Sequence, residues 1–207
     1  MSVALTLDYA SVLIFALTGA LAASRAQLDI VGFIFFAALT AVGGGTLRDL
    51  LLDRDPVFWM ADATPLAIAA GAAVLVFFTA HLLESRLQWI IWLDAAALAI
   101  AVAAGVSVAQ GMEVSTGVVL VMGVATGTFG GLMRDVVANE VPMVLKQGEL
   151  YAAAAVAGAG AALVMEALTD IPLAPTAACI ATTFGLRAGS LLFGWSLPVY
   201  KGRPPRA

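Results

Sequence analysis

The chain has 207 residues, is 62% hydrophobic and only 12% charged, and carries a formal net charge of −4 with a mean hydropathy of +1.00. Soluble domains run roughly 45–50% apolar and about 25% charged, so this composition excludes a soluble globular domain and describes a polytopic membrane protein. The acidic balance, without a basic cluster before the C-terminal tail, argues against a nucleic-acid partner, and a single cysteine (Cys179) with a single histidine (His81) excludes an intrachain disulfide and a Cys/His metal site.

In chain order, seven apolar runs approach the ~20 residues a helix needs to cross a bilayer: 6–24, 28–52, 62–82, 89–109, 115–138, 150–168 and 173–194. Short connections hold the turn formers Asp53-Arg54-Asp55-Pro56, Glu140-Val141-Pro142 and Asp170-Ile171-Pro172, and no soluble domain fits between them. The expectation is one all-α transmembrane domain spanning 1–207, with seven transmembrane helices and a basic C-terminal tail at 195–207. No basic residue precedes the first run, so a cleaved signal peptide is not expected.

Lysine and arginine distribution sets the expected orientation. With the N-terminus outside and the C-terminus cytoplasmic, the inner loops and tail carry Arg25, Arg86, Lys146, Lys201, Arg203 and Arg206, whereas the outer loops carry only Arg54 among Asp53, Asp55, Glu113, Glu166 and Asp170. An integral protein of a bacterial inner membrane, in contact with lipid, is expected. Trp92, Trp195, Tyr151 and Tyr200 read as interfacial aromatics, His81 as interfacial and Cys179 as a small packing residue.

An internal repeat dominates the chain. A shift of 86 residues aligns 7–56 with 93–142 without a gap, matching Leu7-Asp8 to Leu93-Asp94, Gly19 to Gly105, Thr40 to Thr126, Gly44-Gly45 to Gly130-Gly131, Arg48-Asp49 to Arg134-Asp135 and Pro56 to Pro142. Each copy (about 6–85 and about 89–168) holds three spans, an odd number, so the second copy must be inverted. Transporters and channels use such inverted repeats, with the site at the repeat interface. The seventh span, 173–194, stands outside the repeat.

Helical spacing assigns faces. Ala37, Ala41 and Gly45 in the second span match Gly123, Gly127 and Gly131 in the fifth, a small-residue ridge along which two backbones can approach. The adjoining face carries Thr40, Gly44 and Arg48, matched by Thr126, Gly130 and Arg134, and suits a hydrated pathway. The glycines Gly43, Gly44, Gly45, Gly130 and Gly131, with Thr46 beside them, admit two readings: close packing, or a helix break whose freed backbone lines a cavity. Arg48, Asp49, Arg134 and Asp135 also admit two, snorkelling near the span ends or paired polar clusters around a narrow middle, with Arg187 a third embedded cation. Asp8 and Asp94 begin the first span of each repeat and suit helix caps, or else a place in the ion path. Lys146 reads as a positive-inside residue able to fold over a pore mouth.

Taken together, Phe15-Ala16-Leu17-Thr18-Gly19-Ala20, Gly43-Gly44-Gly45-Thr46-Leu47-Arg48-Asp49-Leu50-Leu51 and Pro56-Val57-Phe58-Trp59 resemble the first half of the prokaryotic trimeric intracellular cation (TRIC) channels. Gly130-Gly131-Leu132-Met133-Arg134-Asp135-Val136, Asn139-Glu140-Val141-Pro142, Leu150-Tyr151-Ala152, Leu186-Arg187 and Leu197-Pro198 resemble the second. The same family has also been labelled a glycine transporter. The resemblance implies a homotrimer with a pathway in each subunit, passing potassium or sodium passively, with no cofactor and no structural metal. It implies Gly43, Gly44, Gly45, Gly130 and Gly131 as kink residues and Arg48, Asp49, Arg134 and Asp135 as their polar companions. The Lys-Glu-Val motif of animal members is missing, so their lipid regulation does not transfer. A secondary transporter of a small solute such as glycine is the alternative; an intramembrane enzyme is not expected, since His-Glu-x-x-His and Gly-x-Ser-x-Gly sites are missing.

Overall fold

Residues 3–83 and 85–198 are described by a computed structural model; Tyr200 and the tail cations Lys201, Arg203 and Arg206 lie outside them. Eight α-helices follow one another: α1 (Val3–Arg25), α2 (Ile30–Leu51), α3 (Phe58–Ala61), α4 (Thr64–Thr79), α5 (Arg86–Gln110), α6 (Thr116–Val137), α7 (Ala152–Leu168) and α8 (Ala174–Phe193). Single 3-10 turns sit at Ala80–Leu82 and Met143–Leu145. Six helices, counting Thr64–Leu82 as one, are long and apolar enough to cross a membrane, and the seventh apolar helix, α7, has 17 residues. The one-turn helix α3 is not foreseen from the apolar runs.

Local chemistry explains the helix ends. Asp29 caps α2, its carboxylate accepting the Gly32 N–H at 2.8 Å, which satisfies a donor that has no partner inside the helix. Pro65 and Pro175 occupy first turns, where a missing N–H costs nothing. Gly194, at φ 69°, terminates α8 in the left-handed conformation.

The repeat is visible in the backbone. The four non-glycine residues with left-handed φ among the described residues are Gln27 (55°), Asp53 (53°), Glu113 (54°) and Asn139 (56°). They form two pairs, each separated by the same 86 positions that align the sequence. Equivalent turns therefore follow α1 and α5, and again α2 and α6.

Packing centres on α5, which lies against α1, α6, α7 and α8. Its run Asp94 to Gly105 is mostly alanine, and Ala95, Ala97, Leu98, Ala101, Val102 and Ala104 are buried. Apolar burial supplies little force between helices in lipid, so small side chains that permit close contact do the assembling. The α1–α2 and α5–α6 seams repeat each other: a methyl group on Gly19 would lie 2.6 Å from Thr40 Oγ1, and one on Gly105 the same distance from Thr126 Oγ1.

Helices α2 and α6 cross, as the ridge argument requires, but through different residues. A methyl group on Gly44 would overlap the Thr126 carbonyl oxygen, and one on Gly130 would overlap the Thr40 carbonyl oxygen. The crossing therefore belongs to Thr40, Gly44, Thr126 and Gly130, the face assigned from sequence to the pathway. The expected ridge turns elsewhere: Gly123 meets Val106, Val102 and Ala159, Gly127 meets Val102 and Leu98, and Gly45 meets the Phe58 ring. Ala37 and Ala41 are buried. Spacing defines a ridge but not the helix that faces it.

Of the two readings of these glycines, close packing is seen and a break in the helix is not. Both α2 and α6 are continuous α-helices through their glycines. No proline interrupts either helix, so the helical hydrogen bonds persist, and the missing Cβ atoms admit the partner helix. Gly44→Ala and Gly130→Ala are each expected to destabilise the protein by at least ~1–3 kcal/mol through overpacking against backbone. Gly71→Ala, which meets nothing within 4 Å, is expected to be neutral or slightly stabilising; denaturation of the purified variants in detergent measures the difference.

Candidate functional site: two buried arginine clusters

One helical turn from the crossing on either side stands a fully buried arginine. Arg48 is 0% exposed and Arg134 is 1% exposed. Because Gly44 faces Thr126 while Thr40 faces Gly130, the two helices run past each other in opposite senses and the arginines lie on opposite sides of the contact.

In the first cluster, Arg48 donates from Nη1 to Asp8 Oδ1 at 2.7 Å, from Nη2 to Asp8 Oδ2 at 3.3 Å and from Nε to Asp49 Oδ1 at 2.9 Å. The Phe58 ring covers the guanidinium, its centroid 5.6 Å from Cζ. Asp49 also accepts from Arg54 Nη1 at 2.8 Å and from the Phe58 N–H at 2.9 Å. The second cluster copies this plan. Arg134 donates from Nη1 to Asp94 Oδ1 at 2.8 Å and from Nε to Asp135 Oδ1 at 2.8 Å, while Asp135 Oδ2 accepts the Met143 N–H at 2.9 Å. Thr18 adds a contact, its Oγ1 accepting from Arg134 Nη1 at 3.0 Å.

These bonds correct two expectations. Asp8 and Asp94 lie inside α1 and α5 rather than at their starts, and they bind the arginine of the neighbouring helix instead of capping their own. The arginines do not snorkel, because a carboxylate on the adjacent helix and another at the next residue hold them in place. An unpaired buried charge would cost several kcal/mol.

Tyr151 is a third correction. It is 2% exposed rather than interfacial, and its hydroxyl donates to Asp94 Oδ2 at 2.8 Å. Arg187 stacks on the Tyr151 ring, with Cζ 5.2 Å from its centroid, and its Nη1 lies 2.8 Å from Glu149 Oε2. Arg187 thus reaches the second cluster through Tyr151. Gly131 leaves room for this arrangement: a methyl group there would stand 3.1 Å from Tyr151 Oη and 3.2 Å from Asp94 Oδ1.

The remaining candidates occupy structural positions. Thr40 and Thr126 donate back to the carbonyls of Phe36 (2.7 Å) and Met122 (2.6 Å) in their own helices. Thr46 accepts the Trp59 indole N–H at 2.9 Å and so ties α3 to α2. Gly43 faces Met133 Sδ. The Tyr9 hydroxyl donates to Asp62 and holds that carboxylate below the usual range, fastening the segment before α4 to α1.

Space around the clusters follows the same order. A cavity of about 10 Å³, barely room for one water, lies between Asp8, Ser11, Gly44 and Thr126. Outside the first cluster a groove of about 480 Å³ is bordered by Thr46, Asp49, Arg54, Asp55 and Trp59. Outside the second, a cavity of about 10 Å³ is bordered by Arg25, Arg134, Asp135, Glu140 and Lys146. Sequence reasoning missed Thr18, Arg54, Phe58 and Glu149. Of these, Arg54 carried a signal, since the repeat register sets it opposite Glu140.

Comparison with known proteins places this geometry in a family. A family profile described as "Glycine transporter" matches residues 5–81 and again 91–167. The chain is 37% identical over 153 residues to the UPF0126 inner membrane protein YadS of Escherichia coli K12, covering 73% of each. It is 33% identical over 198 residues to a UPF0126 membrane protein of Vibrio cholerae, covering 94% of this chain and 81% of that one. Among solved structures, it is similar to the TRIC trimeric intracellular cation channel orthologue from Rhodobacter sphaeroides, with 40% identity, a TM-score of 0.90, and coverage of 94% of this chain and 100% of that one. The chain belongs to the TRIC family, and its UPF0126 relatives agree with that placement.

The clusters generate a graded prediction. Asp94→Asn leaves Arg134 underpaired in the interior and is expected to cost ~3–5 kcal/mol. Tyr151→Phe, which removes one buried hydrogen bond, is expected to cost ~1–3 kcal/mol. Denaturation in detergent checks the order; equal stability of both variants and the wild type would show that the second cluster contributes nothing to the fold.

Proposed function

We propose that this TRIC family member is a passive channel for monovalent cations, potassium or sodium, with a pathway inside each subunit along the α2–α6 crossing. The observation that carries the reading is the pair of buried Asp–Arg–Asp clusters standing on opposite sides of one contact between glycines. Polar groups on both sides of a constriction, each arginine neutralised by carboxylates, give a cation a route without an unpaired positive charge beside it. The similarity to a protein described as a trimeric cation channel supports the same conclusion.

Two inverted repeats fit the reversed order of the contacts, Thr40 with Gly130 and Gly44 with Thr126. The close contacts of Gly44 with the Thr126 carbonyl and of Gly130 with the Thr40 carbonyl make the crossing the narrow part of this pathway. Conduction requires the helices to part at the crossing and each arginine to remain with its carboxylates as they do so. A homotrimer is the assembly, in keeping with the trimeric relative, and a bacterial inner membrane the location, in keeping with the naming of the Escherichia coli relative. The positive-inside distribution supports an outside N-terminus, which leaves Arg54 on the outer face and Lys146 on the inner one.

The carboxylates weigh against proton-coupled uptake of glycine or another small solute. Asp8, Asp49, Asp94 and Asp135 each contact an arginine within 3 Å, so none of these four carboxylates stands isolated and poised to load and release a proton.

Purified protein in a planar bilayer under a potassium chloride gradient tests the proposal. Unitary currents reversing near the potassium equilibrium potential are the expected result. Reversal near the chloride potential, or saturable glycine uptake into proteoliposomes without currents, would overturn it.

A further inference from the structure

Where the two repeats stop matching, they differ by a charge. The turns after α2 and α6 are built identically, with Arg54 N–H donating to Asp49 O at 2.9 Å and Glu140 N–H donating to Asp135 O at 2.9 Å. Equivalent backbones therefore present Arg54 at one mouth and Glu140 at the other. Arg54 turns inward and binds the buried Asp49 carboxylate at 2.8 Å, sharing Oδ1 with Arg48. Glu140 turns outward and pairs with Arg25 at 3.1 Å, leaving Asp135 with Arg134 alone. Lys146 borders the same cavity but pairs with neither Asp135 nor Glu140. The first cluster is thus two carboxylates matched by two guanidiniums, and the second is two carboxylates matched by one.

Exposure separates the two arginines at Asp49. The Arg48 side chain is 0% exposed and that of Arg54 is 36% exposed. Only Arg54 can withdraw into water without losing solvation, and Asp49 would keep Arg48 Nε and the Phe58 N–H when it did.

We infer that Arg54 is a tethered counter-ion: it occupies the Asp49 oxygen that an entering cation would otherwise approach, and so restricts cation entry from that mouth alone. The inference rests on the channel reading above. It makes the pathway electrostatically asymmetric despite its symmetric scaffold: cations entering at Asp135 meet no equivalent competitor, whereas cations entering at Asp49 must displace a covalently attached one. The restriction is strongest at low ionic strength, where exposed charges are least screened.

Single-channel recording in symmetric potassium chloride tests this, because each inserted molecule reports its own asymmetry whatever its orientation. Wild type is expected to rectify, with currents at equal and opposite voltages differing in size. Arg54→Gln is expected to raise the smaller current several-fold and bring the ratio towards one, while Arg54→Lys keeps the asymmetry. Glu140→Arg is expected to bring the ratio towards one by lowering the larger current instead. A wild type that conducts equally in both directions, or rectification unchanged in Arg54→Gln, would overturn the inference while leaving the channel reading intact. A wild type that passes no cation current overturns both.

Discussion

The cost of burying a guanidinium in the protein interior governs this structure. Arg48 and Arg134 sit in α2 and α6 with almost no exposed surface, and each demands carboxylates at hydrogen-bond distance. One is supplied by the next residue in the helix, Asp49 or Asp135, and the other by a different helix, Asp8 of α1 or Asp94 of α5. The ion pairs therefore dictate which helices must be neighbours: α1 has to lie on α2 and α5 on α6. The Gly19 and Gly105 seams allow that approach. Charge pairing and small-residue packing specify the same arrangement, which is the consistency expected of a sequence that folds to one structure.

Between the clusters, Gly44 and Gly130 admit the backbone of the partner helix. A helix break would expose backbone groups and require water or ligands to satisfy them. An unbroken helix with no Cβ at the crossing keeps its own hydrogen bonds and admits the partner's carbonyl. The result is a close contact in which Gly44 meets the Thr126 carbonyl and Gly130 the Thr40 carbonyl, with the buried arginines a turn away on each side. Thr40 and Thr126 contribute to this by turning their hydroxyls back to Phe36 and Met122.

Symmetry in the backbone coexists with asymmetry in its supports. The first cluster is braced within its own repeat by Phe58 and Arg54. The second is braced by Tyr151 and, through it, by Arg187 of α8, the helix outside the repeat. The chain continues this link at the end of α8, where the short bridge between Glu149 and Ser196 and the Leu197 N–H to Gly148 O bond join the C-terminal segment to the loop that holds Glu149. One cluster is thus secured locally, whereas the other depends on a helix outside the repeat.

By itself the sequence determined the solvent, the helices and the repeat. Composition required a membrane, apolar runs set the span positions within a few residues, and the 86-residue register matched Arg48-Asp49 to Arg134-Asp135. These are local or periodic properties, which a linear pattern retains. What the tertiary structure alone decided was partnership. Helical spacing put Ala37, Ala41 and Gly45 on one stripe and Thr40, Gly44 and Arg48 on the next, but only packing showed that α2 and α6 meet through the second stripe. The position of Asp8 near a predicted helix start suggested a cap, because the sequence holds no record that Arg48, 40 residues later, lies 2.7 Å away. The same applies to Tyr151, whose aromatic ring beside a span suggested the interface until Asp94 and Arg187 were found against it. A buried charge must have a partner, and the sequence announces the charge; which of several distant residues answers it depends on helix crossings that no single stretch of chain encodes.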